Sequence, residues 1–185
     1  MLNNLREATA VLHEQLEKEN AANLIMDHNI TLEQYRELLF QNYIAYYIAE
    51  KQISSQLSHY QESKHRALEQ DLRALGIPRE IPQSLAMEFY CNSKAEAYGA
   101  AYVVEGSVMG GMLIAKNLQK CPGLSEIKTH HFFNGKRDNI KSWRGFVKKL
   151  EESRFNKQEV VEATNKAKET FLFFSKAFKQ PLPVT

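Results

Sequence analysis

Residues 95–118 read AEAYGAAYVVEGSVMGGMLIAKNL, and the prediction of the fold starts from this apolar stretch. Its pattern predicts a long helix, although Gly106, Gly110 and Gly111 lie within six positions. Each interior glycine costs a helix roughly 1 kcal/mol, so the three together cost about 3 kcal/mol. Because missing side chains let a backbone kink and approach a neighbour closely, we expect either a flat macrocycle or another helix to pack here.

The same segment is too short and too broken for a comfortable membrane span. Its most apolar window, Tyr98–Ala115, contains Glu105 and four glycines, whereas a spanning helix needs about 20 mostly apolar residues. A buried helix is therefore predicted. The first 20 residues lack the basic and apolar regions of a secretory signal, and the tail FKQPLPVT carries no anchor. We expect a cytoplasmic protein without a membrane anchor.

The rest of the chain is also helical in pattern, and no run of alternating β-branched residues predicts a strand. Two capping boxes, Thr31 with Gln34 and Asn156 with Glu159, mark helix starts. The predicted helices cover about 2–18, 31–57, 63–75, 82–92, 95–118, 138–152 (capped by Asp138) and 156–178, with a polar loop at 20–30 and a short helical piece at 125–133. Because no linker is long enough to separate two domains, we predict an all-α, single-domain fold over residues 1–185.

Composition excludes several classes of protein. Lys and Arg number 24 and Asp and Glu 22, which leaves a net charge of +2 and no electrostatic reason to expect nucleic-acid binding. The two cysteines, Cys91 and Cys121, are too few for a disulfide framework and lack the CxxC spacing of zinc knuckles. The hydrophobic share of 43% is ordinary for a folded, water-soluble chain.

The first predicted helix carries a cation, an imidazole and a carboxylate on one face. Glu17 follows His13 by four residues, and Arg6 precedes it by seven, roughly 10 Å away along the helix axis. A neutral imidazole ligates haem iron when its other N–H has a partner, which Glu17 could supply directly or through water. Arg6 could then meet a haem propionate. The alternative is a half-buried packing histidine that pairs with Glu17.

A third segment, residues 130–150, interleaves aromatic residues with Lys141, Arg144 and Lys148, which fall near one helix face. That face could meet an anionic group or an acidic protein partner. A solvated basic face over the edge of an aromatic core is the alternative, and this segment alone does not decide between them.

Taken together, LREATAVLHEQLE (Leu5–Glu17) and YVVEGSVMGG (Tyr102–Gly111) resemble the bacterial branch of the haem oxygenase family in order and separation. The FFNG…W..F segment and the closing helix EATNKAKETFLFFSKAF are also similar, so the resemblance covers nearly the whole chain. It implies the all-α haem oxygenase fold, with haem between the first (proximal) helix and the glycine-kinked distal helix. Family members cleave haem with O2 and electrons to biliverdin, ferrous iron and CO.

The resemblance also implies which residues hold haem on the proximal side and at its edge. His13 matches the family's iron ligand, and Glu17 matches the residue that supports the other nitrogen of that ligand. Arg6 and Arg144 match basic residues that contact the propionates.

On the distal side, the resemblance implies that the backbone of Gly106, Gly110 and Gly111 lies over the haem face. Many members carry an Asp directly after the first of these glycines, where it organises the water that delivers protons, but this chain has Ser107. A hydroxyl hydrogen-bonds water and cannot act as a carboxylate, so proton delivery is expected to rest on ordered water and other polar groups. Lys136 likewise stands where an aromatic residue is expected. The predicted catalytic residues are Gly106, Ser107, Gly110 and Gly111.

Electrons must come from outside the chain, because it contains no flavin or nicotinamide fingerprint. The expected donor is a ferredoxin or a separate reductase, and the basic face around Arg144 is its candidate docking surface. Ser107 favours an alternative function, a haem-binding or storage protein of the same fold without efficient turnover.

A more distant alternative is a member of the same helical fold that uses no haem, such as a dimetal oxygenase or a thiamine-pyrimidine hydrolase. A dimetal site needs several Glu-x-x-His pairs, and Glu62 with His65 supplies that spacing only once. The histidines outside the first helix have no partner that the sequence identifies and are expected at the surface or in loops; they are His28, His59, His65, His130 and His131.

Overall fold

The computed structural model describes residues 1–183, which form nine α-helices and one 3-10 turn and contain no strand. In chain order the helices are α1 (Leu2–Glu19), α2 (Asn23–Met26), α3 (Leu32–Gln56), α4 (Lys64–Ala74), α5 (Gln83–Ala86), α6 (Lys94–Gly106), α7 (Val108–Leu118), α8 (Asp138–Glu152) and α9 (Lys157–Ala177). The 3-10 turn is Pro122–Leu124. The prediction of an all-α fold is confirmed.

The longest helix, α3, runs through the main hydrophobic core. It begins at the predicted capping box, in which the Thr31 hydroxyl accepts a hydrogen bond from the Gln34 N–H and the Gln34 side chain accepts one from the Thr31 N–H. Its residues are buried on most of its circumference from Tyr35 to Ile53, because α4, α6 and α9 all pack against it.

Helix α9 packs against both α1 and α6 and so holds together the two segments that the sequence predicts on either side of a ligand. It begins at the second predicted capping box, Asn156 with Glu159. Its contact with α6 is very close, since a β-carbon on Gly99 would lie 2.1 Å from the Ala163 carbonyl oxygen. Only glycine allows this approach. Leu5 and Phe171 belong to a second hydrophobic cluster that fills the junction of α1 and α9.

The sequence predicts one long kinked helix over 95–118, and the structure has two helices there instead. Helix α6 ends at Gly106, Ser107 forms a turn, and α7 begins at Val108. The Ser107 hydroxyl donates a hydrogen bond of 2.8 Å to the Val104 carbonyl oxygen, which satisfies one acceptor where the helix breaks. Low helix propensity at the glycines and this side-chain bond to the backbone both favour a break at this point.

Two predicted helical segments are wrong. The helix predicted at 82–92 is limited to α5, after which the chain turns to stack the buried Phe89 ring on Phe173, with ring centroids 4.7 Å apart. The piece predicted at 125–133 is not helical. There the buried Asp71 carboxylate accepts hydrogen bonds from the N–H groups of His131 and Phe132, and these bonds replace helical ones.

Two other predictions differ from the structure: the N-cap of α8 and the polar loop at 20–30. Asp138 is the first residue of α8 rather than its cap, a position that Arg137 occupies. The loop contains α2, which contacts α7, and the His28 Nε2 atom lies 3.0 Å from the Asn117 Oδ1 atom. His28 therefore has a partner that the sequence did not reveal.

Two other histidines expected to lack partners also have them. His65 is buried, and its Nδ1 atom lies 2.6 Å from the Glu50 Oε2 atom. The His130 Nδ1 atom lies 2.7 Å from the Tyr35 hydroxyl oxygen. Both partners come from α3, at sequence separations of 15 and 95 residues, so no local pattern could have predicted these pairs.

By length and composition alone, Lys94–Leu118 would pass as a membrane span, with a mean hydropathy of 1.2 over its most apolar window. About 44% of that window is buried inside the protein. Core helices of water-soluble proteins meet the same criterion, so this stretch is a weak indication of a span. The buried Glu105 and the break at Ser107 agree with the predicted core helix.

Candidate functional site

A cavity of about 510 Å³ is bordered by α1, by the α6–α7 break and by aromatic side chains of the C-terminal third. This volume lies within the range of roughly 300–1,000 Å³ typical of small-molecule sites. Much of the wall is apolar, as in Leu16, Val103, Ile114, Phe133 and Phe174. The predicted site residues that line this cavity are His13, Glu17, Gly106, Ser107, Gly110 and Gly111.

His13 lies on α1 with its ring in edge contact with the Phe171 ring of α9, at a centroid distance of 5.8 Å. Its side chain is 56% exposed in this structure, and its Nδ1 atom lies 3.7 Å from the Glu17 Oε2 atom. That separation is slightly longer than a direct hydrogen bond and too short for a water to lie comfortably between the two atoms. The Nε2 atom makes no hydrogen bond within residues 1–183, so it is available to a ligand in the cavity.

The glycines of α7 leave the cavity wall bare. A β-carbon on Gly110 or on Gly111 would meet no atom within 4 Å, so neither glycine is required by packing within the described residues. Gly106 differs, since a β-carbon there would lie 3.8 Å from the Trp143 ring. The missing side chains of Gly110 and Gly111 therefore leave a space open beside the backbone and do not serve a helix contact. Their low helix propensity is the cost of that space.

Three polar side chains reach the cavity near the helix break. Ser107 is joined there by Asn42 and Tyr46 of α3, which the sequence analysis did not select. Burial raises the pKa of the Tyr46 phenol, and the nearby Ser107 hydroxyl opposes that rise. The Asn42 amide donates a 2.8 Å hydrogen bond to the Leu38 carbonyl oxygen and leaves its own carbonyl oxygen as an acceptor. The four-residue spacing of Asn42 and Tyr46 indicates that they share one face of α3. No local pattern predicts that this face lies against α7.

Neither predicted propionate contact lines the cavity. Arg6 on α1 and Arg144 on α8 are both exposed, and neither borders the space. Their assignment remains a prediction.

A second, shallower depression of about 640 Å³ is bordered by Tyr60, Glu62 and Arg66 and contains none of the predicted site residues. His65 lies beneath it with a carboxylate at each ring nitrogen, Glu50 at 2.6 Å and Glu62 at 3.7 Å. Carboxylates on opposite ring edges do not converge on one ion. Within residues 1–183 no group of three or more His, Cys, Asp or Glu could hold a metal, so the structure offers no support for the dimetal alternative.

The curated heme oxygenase of Xanthomonas campestris is 38% identical to the chain over 87 residues, which are 46% of this chain and 49% of that protein. The matched region thus spans about half the length of that relative.

Two solved structures share the fold. One is the NO- and CO-bound heme oxygenase of Neisseria meningitidis, with a TM-score of 0.67 and 21% identity over 98% of this chain and 95% of that one. The other is the heme complex of a heme oxygenase from the cyanobacterium Synechocystis, with a TM-score of 0.73 and 17% identity over 95% of this chain and 89% of that one. The "Heme oxygenase" family model matches residues 1–180. A match over nearly all of the 185 residues shows that the chain belongs to the haem oxygenase family.

Proposed function

We propose that this protein is a haem oxygenase, which uses O2 and electrons to cleave haem to biliverdin, ferrous iron and CO. One observation carries the proposal: an imidazole with an available nitrogen and a bare glycine backbone border the same apolar cavity. Family membership supports the reaction class.

The residues present fit haem. The space beside Gly110 and Gly111 is a cradle that side chains would fill, and the surrounding wall suits an apolar macrocycle. Bound haem would supply the redox-active iron and would also be the molecule that is consumed.

On the proximal side, we assign iron ligation to His13. Glu17 would orient the ring from Nδ1 and fix the neutral tautomer, and the Phe171 ring restricts its rotation from α9. A single imidazole from the protein would hold the iron, which would supply the O2 chemistry when haem is bound.

On the distal side, Gly110 and Gly111 have no side chains and would leave space for O2 and water. Ser107, Tyr46 and Asn42 supply the hydrogen-bonding groups that could order this water and pass protons through it. Because Tyr46 stays protonated over the whole neutral range, its phenol can act as a donor there.

We assign Arg6 and Arg144 to the propionate edge and propose a ferredoxin or a reductase as the electron donor. The basic face of α8 is partly neutralised, since Lys141 pairs with Asp138 at 2.7 Å and Lys148 with Glu152 at 3.7 Å. Arg144 has no ion-pair partner among residues 1–183, so its charge is available to a propionate, or to an acidic donor where no propionate takes it.

A specific observation favours the second candidate, a haem-storage protein. The Ser107 hydroxyl proton is already donated to the Val104 carbonyl oxygen, so only its lone pairs remain for water. In that case the cavity would bind haem without efficient proton delivery.

Mixing the purified protein with hemin and then adding ascorbate under air distinguishes the two candidates. Catalase is included so that free peroxide does not degrade haem. Loss of the Soret band with release of biliverdin and CO supports the oxygenase. A Soret band that persists unchanged, with no biliverdin, contradicts it and supports storage.

A further inference from the structure

Two carboxylates, Glu50 of α3 and Glu105 of α6, are buried, and neither belongs to the cavity lining. Glu50 is completely inaccessible, and Glu105 is 8% exposed. Burying a carboxylate is costly unless it is paired and hydrogen-bonded, so the partners of these two groups define what they do.

Tyr60 connects the two carboxylates. Its hydroxyl lies 2.8 Å from the Glu105 Oε1 atom and 3.4 Å from the Glu50 Oε1 atom. Burial raises the pKa of Tyr60 well above the usual range, and the Glu105 and Glu50 charges raise it further. The phenol therefore keeps its proton at physiological pH and acts as a donor to Glu105.

Glu50 fixes the start of α4 on α3. It accepts hydrogen bonds from the backbone N–H groups of Ser63, Lys64 and His65, at 2.8–3.1 Å, and its Oε2 atom also lies 2.6 Å from His65 Nδ1. The Lys64 ammonium in turn lies 3.6 Å from the Glu105 Oε2 atom. Each oxygen of Glu105 is thus held by a residue of the corner between α3 and α4.

Glu105 directly precedes Gly106 and Ser107, where α6 breaks. A glycine followed by a turn gives the backbone freedom at this junction, because no side chain at Gly106 packs against a neighbour. The side-chain bonds that restrain the last turn of α6 are those of Glu105 and the short bond from Ser107 to Val104.

We propose that Glu105 is a positioning residue, whose bonds to Tyr60 and Lys64 fix the direction of the α6–α7 break and so the place of Ser107 beside Tyr46. It acts through the backbone and does not border the cavity itself. The inference deepens the proposed function and rests on it only where the distal side of haem is concerned.

The chain contains a single tryptophan that reports on this break without any ligand. A β-carbon on Gly106 would lie 3.8 Å from the Trp143 ring, so movement of the last turn of α6 changes the surroundings of the indole. Tyr60→Phe removes one hydroxyl and Glu105→Ala removes the tether, whereas Glu105→Gln keeps an acceptor for Tyr60. Ser54→Ala is the matched control, because Ser54 donates to Glu62 in the outer part of the same cluster and does not contact Glu105.

In the haem-free protein, Tyr60→Phe and Glu105→Ala are expected to shift the Trp143 emission maximum and to increase its quenching by acrylamide. Ser54→Ala should stay near the parent. Glu105→Gln keeps the acceptor for Tyr60 but loses the ion pair with Lys64, so it should fall between the parent and Glu105→Ala. Helix content by circular dichroism should be equal in all variants. If Tyr60→Phe leaves the emission of Trp143 unchanged, or if Ser54→Ala changes it equally, the positioning role is refuted. This readout is independent of haem binding, so it stands or fails separately from the proposed function.

A second readout uses the ferric haem complex. The pH at the midpoint of the change in its absorption spectrum is expected to shift by roughly half a unit in Tyr60→Phe. A shift of that size corresponds to part of the free energy of one hydrogen bond. Haem affinity should change less than twofold, since the altered groups lie outside the cavity. An unchanged midpoint together with reduced affinity would indicate general loosening of the fold and would overturn the inference.

Discussion

The Glu17 Oε2 atom lies 3.7 Å from the Nδ1 atom of His13, one turn apart on α1. Both side chains border the cavity that also touches Gly110. Because the carboxylate lies on the Nδ1 side of the ring, Nε2 is the nitrogen left for a ligand. This pair makes the proximal assignment testable one residue at a time.

His13→Ala should abolish haem turnover and leave the fold nearly unchanged. The ring is more than half exposed, so the free energy of unfolding should change by less than about 1 kcal/mol. The ferric absorption spectrum and biliverdin release measure the effect, and added imidazole should restore part of the parent spectrum. Turnover at the parent rate would show that His13 is not the ligand.

Glu17→Gln should weaken the proximal support without removing the ligand. Loss of a carboxylate that orients a metal-bound histidine typically costs about tenfold or more in affinity or activity. Haem titration and the iron–histidine stretching frequency measure the change, with Glu14→Gln as the control, because Glu14 pairs with Lys18 on the same helix. Equal effects of the two substitutions would argue against a specific role for Glu17.

Gly110→Leu should stabilise the haem-free protein and weaken haem binding. Nothing lies within 4 Å of a β-carbon at Gly110, and replacing a helical glycine gains roughly 0.5–1 kcal/mol. The introduced side chain would fill the cradle, so the affinity for haem should fall. Urea unfolding and haem titration separate the two effects.

Gly99→Ala is the matched contrast within the same helical segment. Its β-carbon would meet the Ala163 carbonyl oxygen at 2.1 Å, which should destabilise the fold by at least about 2 kcal/mol. Unchanged or tighter haem binding by Gly110→Leu would contradict the distal assignment.

Ser107→Asp should accelerate biliverdin formation if proton delivery limits turnover. The carboxylate would be a stronger acceptor than the hydroxyl and could carry a proton itself, whereas the Ser107 proton is already donated to the Val104 carbonyl oxygen. Single-turnover rates under ascorbate and air measure this, and Ser107→Ala tests whether the hydroxyl contributes at all. A rate unchanged in both variants would exclude position 107 from proton delivery.

His130 predicts a specific loss of stability in mild acid. Burial lowers the pKa of His130 below its ordinary value of 6.5, and Asp71 only partly offsets this. The unfolded chain therefore binds more protons below about pH 6.5, so the free energy of unfolding falls as the pH drops through this range. The His130 Nδ1 atom lies 2.7 Å from the Tyr35 hydroxyl oxygen, and with Nδ1 protonated this hydroxyl can only accept in that bond.

Urea unfolding at pH 7 and pH 5 tests this linkage. The stability difference between the two values should be smaller in His130→Gln than in the parent, whereas His59→Gln, at an exposed position, should leave it unchanged. An identical pH dependence in His130→Gln and the parent would rule out His130 as the source.

Local features were predictable from the order of residues. The capping boxes at Thr31 and Asn156, the helical spacing of His13 and Glu17 and the weak helix at Gly106 all depend on neighbours within four positions, and the structure contains each of them. Backbone hydrogen bonds and side-chain spacing along a helix are short-range, so a linear pattern records them.

The other features of the site depend on contacts between helices that are far apart in the sequence. Asn42 and Tyr46 reach the cavity because α3 passes beneath the α6–α7 break, and Gly99 is needed because α9 brings Ala163 within 2.1 Å of its β-carbon position. Glu105 likewise acquires Tyr60 from 45 residues away. Burial and electrostatic pairing depend on distances through space, which the packing of helices sets and which no periodicity along the chain encodes.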